Sequence, residues 1–137
     1  MRQIEDIKIE LVELGANLFD ILLPETRALL NYIHDDEIIN GVVYGQYKKN
    51  NIAKGSGRGL LVATDRRILL IDKKPMFLKF DEFSYEIIGG VSYSNVGTSG
   101  TVVLQSRTGD ISIQTYNSKC AKNFIKAIES KTLNNPT

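Results

Sequence analysis

The chain contains one cysteine, one histidine and no tryptophan, and each scarcity removes a class of function. A lone Cys120 cannot form an internal disulfide, so a reducing compartment is the expected setting. One His34 and one Cys120 cannot supply a closed zinc ligand set, and Asp35-Asp36-Glu37 lacks the spacing of a calcium loop. A nucleophile–histidine arrangement would have to use His34, which sits at a helix end beside two carboxylates, where a solvated imidazole is expected. Cys120 is flanked by Lys119 and Lys122 but lies close to Phe124, so a packed thiol is expected. No metal, cofactor or catalytic residue is therefore expected. Apolar runs approaching the ~18–20 residues of a membrane span are also missing, as is a secretory leader pattern. These absences predict a soluble, cytoplasmic domain, at most peripheral to the inner face of a membrane.

What is present is a globular composition: 137 residues, 42% apolar and 24% charged, enough for one domain with a modest appendage. The net charge of +1 hides a segregation. Residues 1–40 set Arg2, Lys8 and Arg27 against nine carboxylates. Residues 44–74 set eight cations against Asp65 and Asp72. Segregated charge bears on partners and association rather than on fold.

Residues 3–33 read as helical. Ile4, Ile7, Leu11, Leu14 and Leu18 follow a 3-4-3-4 spacing that places them on one helical stripe. Gly15 and Asn17 weaken the end of this helix, and Pro24 opens a second one whose buried side is Leu29, Leu30 and Ile33. Two short helices over residues 1–34 are expected. After Asp36 the texture turns to β, with strands expected at 37–48, 58–64, 67–72, 76–83, 90–96, 101–106 and 111–116. The last two alternate apolar and polar residues around Thr108-Gly109-Asp110, as half-buried antiparallel strands do. A closing helix follows an Asn117 or Ser118 N-cap, with Ala121, Phe124, Ile125 and Ile128 at helical spacing, and 132–137 form a tail.

Seven antiparallel strands followed by one amphipathic helix resemble a pleckstrin-homology (PH)-like barrel. The run Gly59-Leu60-Leu61-Val62-Ala63-Thr64-Asp65-Arg66-Arg67-Ile68-Leu69-Leu70-Ile71 resembles the G-x-L-x-x-T-x-x-R-L-L hairpin of bacterial PH domains, especially the YokE-like group, and of the related GRAM domains. Tyr85-Glu86-Ile87-Ile88-Gly89-Gly90-Val91 is similar to the group's Y-x-x-I-x-x-V segment. The resemblance implies a seven-stranded barrel over about residues 35–131, closed by its C-terminal helix and preceded by a helical extension. Leu61, Ala63, Leu69 and Ile71 are expected to face inward, with Phe124 and Ile128 plugging the open end.

Two functions follow as expectations. The first is protein docking or homo-oligomer formation through the stripe Ile4, Ile7, Leu11, Leu14 and Leu18 and a barrel edge. The second is weak attraction of an anionic lipid surface or another polyanion to Lys48, Lys49, Lys54 and Arg58. The resemblance implies that these four cations bracket a loop between the first two strands. Gly55-Ser56-Gly57-Arg58-Gly59 matches neither G-x-x-x-x-G-K-[ST] nor G-x-G-x-x-G and reads as part of that connection. A near-neutral charge and the lack of an RNA or DNA module argue against a nucleic-acid partner.

Overall fold

The computed structural model describes residues 1–50 and 55–132; most of the expected tail lies outside them. Seven strands are described: β1 Ile39–Asn50, β2 Gly55–Thr64, β3 Ile68–Lys73, β4 Leu78–Phe83, β5 Ile88–Val96, β6 Ser99–Ser106 and β7 Asp110–Thr115. They form one antiparallel sheet in the order β4-β3-β2-β1-β7-β6-β5. Helix α4, Ser118–Thr132, follows. Its first turn is capped by Asn117, whose Oδ1 accepts the Cys120 N–H at 3.1 Å.

β1 joins the two halves of the sheet. Its first part pairs with β2, from Gly41 opposite Ala63 to Lys49 opposite Gly55. Its second part also pairs with β7, from Gln46 opposite Gln114 to Asn50 opposite Asp110. Gly45 stands where the two pairings meet, and a Cβ there would fall 1.9 Å from the Gln114 carbonyl oxygen. A glycine is needed for so close a backbone approach. The sheet curls far enough that Val43, Leu61, Phe83, Ile88, Val102, Leu104 and Ile113 share one apolar cluster with Phe124 and Ile128 of α4. Phe124 and Ile128 are fully buried and plug the barrel as expected.

A second cluster lies on the outer face of β1–β3. There Ile39, Val42, Leu60, Val62, Leu69 and Ile71 pack against Ile7, Leu11, Ala28, Leu29 and Ile33. This corrects the expected inward set. Leu61 and Ala63 do face the barrel, but the register pairs them with Leu70 and Ile68, whereas Leu69 and Ile71 face the helices. The physical reason is visible in the run itself. Strands covered on both faces are apolar at every position, so alternation cannot tell inside from outside.

The covering layer holds three helical segments rather than two: α1 Ile4–Glu13, α2 Leu18–Ile21 and α3 Pro24–Leu29. Asn17 starts the extra turn. Its Oδ1 accepts the Asp20 N–H at 2.9 Å while Asp20 Oδ2 accepts the Asn17 N–H at 3.1 Å, a reciprocal capping box. Pro24 opens α3, as its spacing predicts. Amides of the closing helix hold this layer down, since Asn117 Nδ2 donates to Gly15 O at 3.0 Å and Asn123 Nδ2 to Leu14 O at 2.8 Å. No helix among the described residues is long and apolar enough to cross a membrane.

Candidate functional site

The stripe expected to meet a partner is divided by the fold. Ile7 and Leu11 are fully buried, and Ile4 and Leu14 pack half-buried against the same cluster. Only Leu18 remains open, at 70% exposure. The five residues therefore do not form one docking face. A two-heptad apolar stripe cannot stand alone, and here the chain's own sheet supplies what it packs on.

A different face of the same helices is apolar and open. Ile9 and Val12 on α1, Leu18 and Phe19 on α2, and Leu22 just beyond it are each at least half exposed. Phe19 meets Tyr44 of β1 edge-on, with ring centroids 5.9 Å apart. The Arg58 guanidinium lies 5.5 Å from the centroid of the same Tyr44 ring. Beside them is a shallow depression of about 150 Å³, lined by Phe19, Tyr44, Arg58, Tyr116 and Asn117 among others. Tyr116 stands exposed at its rim. Sequence reading missed this patch because Phe19, Tyr44, Arg58 and Tyr116 come from four separate segments.

The four expected cations separate in the same way. Lys54 lies outside the described residues. Lys48, Lys49 and Arg58 stand on strands rather than in a loop, because β1 and β2 both run further than expected. Lys49 is tied to Asp81 of β4. Lys48 and Arg58 are exposed and point to one face, since Gln46 pairs with Arg58 and Lys48 with Ser56. That face continues as a polar groove past Ser112 and Gln114 of β7 and Thr101 of β6.

The glycines of Gly55-Ser56-Gly57-Arg58-Gly59 belong to β2, which corrects their reading as a connection. Gly57 makes room for a polar pair inside the barrel mouth. A Cβ there would meet Asp72 Oδ2 at 2.6 Å and the Tyr47 hydroxyl at 3.2 Å. The Tyr47 hydroxyl donates to Asp72 Oδ2 at 2.6 Å, and Lys74 Nζ lies 2.6 Å from Asp72 Oδ1. Burial first, and the Asp72 carboxylate second, push the Tyr47 phenol above its ordinary range.

The β2–β3 hairpin carries a second polar centre. Glu37 is fully buried. Its Oε2 accepts from the Thr64 hydroxyl at 2.6 Å and from Arg67 Nε at 3.0 Å, and its Oε1 accepts from Arg67 Nη2 at 2.9 Å. Arg67 also donates to Tyr32 O at 2.7 Å and to Glu82 at 3.1 Å. Burial alone would raise the Glu37 carboxyl. The Arg67 and Thr64 hydrogen bonds and the His34 N–H outweigh it and hold the group at about 2, against an ordinary 4.5. Arg2 donates to the Glu37 and His34 carbonyls, so the start of the chain is fastened to the same point. This centre positions structure. It joins the helical layer to the hairpin, with Glu37 and Thr64 fully buried.

Cys120 is buried, and burial with Asp20 nearby pushes its thiol up to about 12, which leaves no thiolate near neutral pH. His34 stands exposed at the end of the helical layer.

A curled seven-stranded antiparallel sheet plugged by a C-terminal helix is the architecture of a PH-like domain. The chain belongs to the bacterial PH domain family, whose model matches residues 33–130. Among solved structures it is similar to a DUF1696 family protein with a pleckstrin-homology domain from Shewanella loihica PV-4. That match has 15% identity and a TM-score of 0.44, covering 87% of this chain and 96% of the other. It is also similar to the linker-DH/PH domains of p115-RhoGEF, at 11% identity and a TM-score of 0.48, covering 98% of this chain and 40% of that one. No curated protein matches the sequence.

Proposed function

We propose that this PH domain is a non-enzymatic protein-docking module whose contact face is the outer side of its N-terminal helices. The observation that carries the reading is the aromatic–arginine patch of Phe19, Tyr44, Tyr116 and Arg58, extended by Leu18 and Leu22. Tyrosine and arginine around a desolvatable pocket are the composition of interface hot spots. The depression of about 150 Å³ takes one apolar side chain. Arg58 carries no carboxylate partner among the described ion pairs, so the occupant is a protein segment presenting an apolar anchor beside an acidic residue. The test is affinity capture run in parallel with wild type, Phe19→Asp and Lys48→Glu. A partner retained by wild type and Lys48→Glu but reduced at least tenfold by Phe19→Asp is the expected result. Recovery independent of Phe19 would sink the reading.

A second reading rests on Lys48 and Arg58 standing exposed on one face of β1 and β2. Two such cations give an anionic membrane surface at most about 1 kcal/mol each, lost as salt rises. Co-sedimentation at low salt should then show more protein on anionic than on neutral vesicles, with the difference gone in a Lys48→Glu, Arg58→Glu variant. Equal recovery on both vesicles at low salt would end this second reading.

A further inference from the structure

The seven-stranded sheet ends in two edges, β4 and β5, and they are built differently. β4 carries Lys79, Asp81 and Glu82, with Asp81 held by Lys49 and Glu82 by Arg67. Charges on and inside an edge strand are a common guard against pairing with another chain. β5 has no such guard. Residues 88–106, which make up the whole β5–β6 hairpin, contain no Asp, Glu, Lys, Arg, His or Pro, in a chain that is 24% charged. β5 pairs with β6 from Ile88 to Val96, α4 packs against it, and among the described residues no strand lies on its other side. Among the described residues no further backbone hydrogen bond from another element reaches Ile88–Val96. Its Val91 and Tyr93 pack toward the core, while Ser92 and Ser94 are exposed on the outer face.

We infer that β5 is a self-pairing edge: two copies of the chain join β5 to β5, antiparallel, about a two-fold axis. The occupant follows from the charge. An antiparallel two-fold pair sets each β5 residue opposite a residue of the same strand, and a strand without charges brings no like-charge pair together in any register. Such a strand is self-compatible, and small serines on the outer face allow the two sheets to run on as one. The β4 edge of a neighbour is the poorer match, because its carboxylates are already engaged within its own chain. Strand pairing alone buries little area, so association at high micromolar concentration is expected. This inference goes beyond the docking reading and uses none of its residues.

Light scattering of the full chain at several hundred micromolar tests it. Wild type should scatter at twice the 15.3 kDa chain mass, and Ser92→Lys with Ser94→Lys should return the monomer mass with an unchanged melting temperature. Ser92→Cys gives an independent measurement. With Cys120 buried, mild oxidation should link this variant into a covalent dimer in at least tenfold excess over wild type. Phe19→Asp should leave the dimer intact. A wild-type monomer at that concentration overturns the inference. So does a dimer that survives both lysines, including one that Phe19→Asp alone dissolves; that last outcome would leave the helical docking face standing.

Discussion

Replacing Arg67 with alanine should destabilise the domain by about 3–5 kcal/mol, the cost of stranding a buried carboxylate without its counter-charge. Glu37 is fully buried and takes two of its hydrogen bonds from Arg67. The same substitution frees the Tyr32 carbonyl, so the helical layer loses its fastening to the hairpin. A urea midpoint shift measures the loss. The pH dependence identifies its source. Glu37 is held at about 2 in the folded chain against an ordinary 4.5. A depressed carboxyl contributes stability that is fully present above about 4.5 and is lost as pH falls through about 2. That contribution is about 3 kcal/mol. Wild type should therefore lose stability across this window, and Glu37→Gln should lack that part of the loss. An acid limb identical in wild type and Glu37→Gln would mean that other carboxylates carry it.

Gly45→Ala should be nearly as damaging. The added Cβ would lie 1.9 Å from a backbone oxygen of β7, which cannot swing aside as a side chain can. β1 must then move off β7, at about 3 kcal/mol or more. A melting temperature lower by roughly 10 °C is expected. Gly89→Ala is the control, since the nearest atom to its Cβ would be 3.9 Å away. Equal melting of the two variants would show that β1 does not need the close approach.

These two positions mark what the sequence shows and what it hides. The hairpin motif at Thr64-Asp65-Arg66-Arg67 was legible because its chemistry is local: Thr64 Oγ1 accepts the N–H groups of Arg66 and Arg67 at 3.1 Å. The alternation of β6 and β7 was legible because one face of each is open to solvent. Thr64 and Arg67 mark the turn in the sequence, yet their partner Glu37 lies some thirty residues away, and nothing in spacing pairs them. The glycines of β2 looked like a loop because the groups that need the space, Tyr47 and Asp72, come from other strands. The candidate docking face was hidden for the same reason, and the helical stripe, apart from Leu18, is the side that faces inward.

The N-terminal helices pack as a built-in layer of the domain, so that only their outer face is free to dock. Amide hydrogen exchange of the full chain reads this directly. The amides of α1, around Leu11 and its neighbours, should exchange with an opening free energy close to that of β2 and β3, because Ile7 and Leu11 share a core with Leu60, Val62, Leu69 and Ile71. If α1 amides exchanged at rates near those of an unstructured peptide while β2 and β3 stayed protected, the layer would be a detachable arm. Its inner stripe would then be the surface available to a partner.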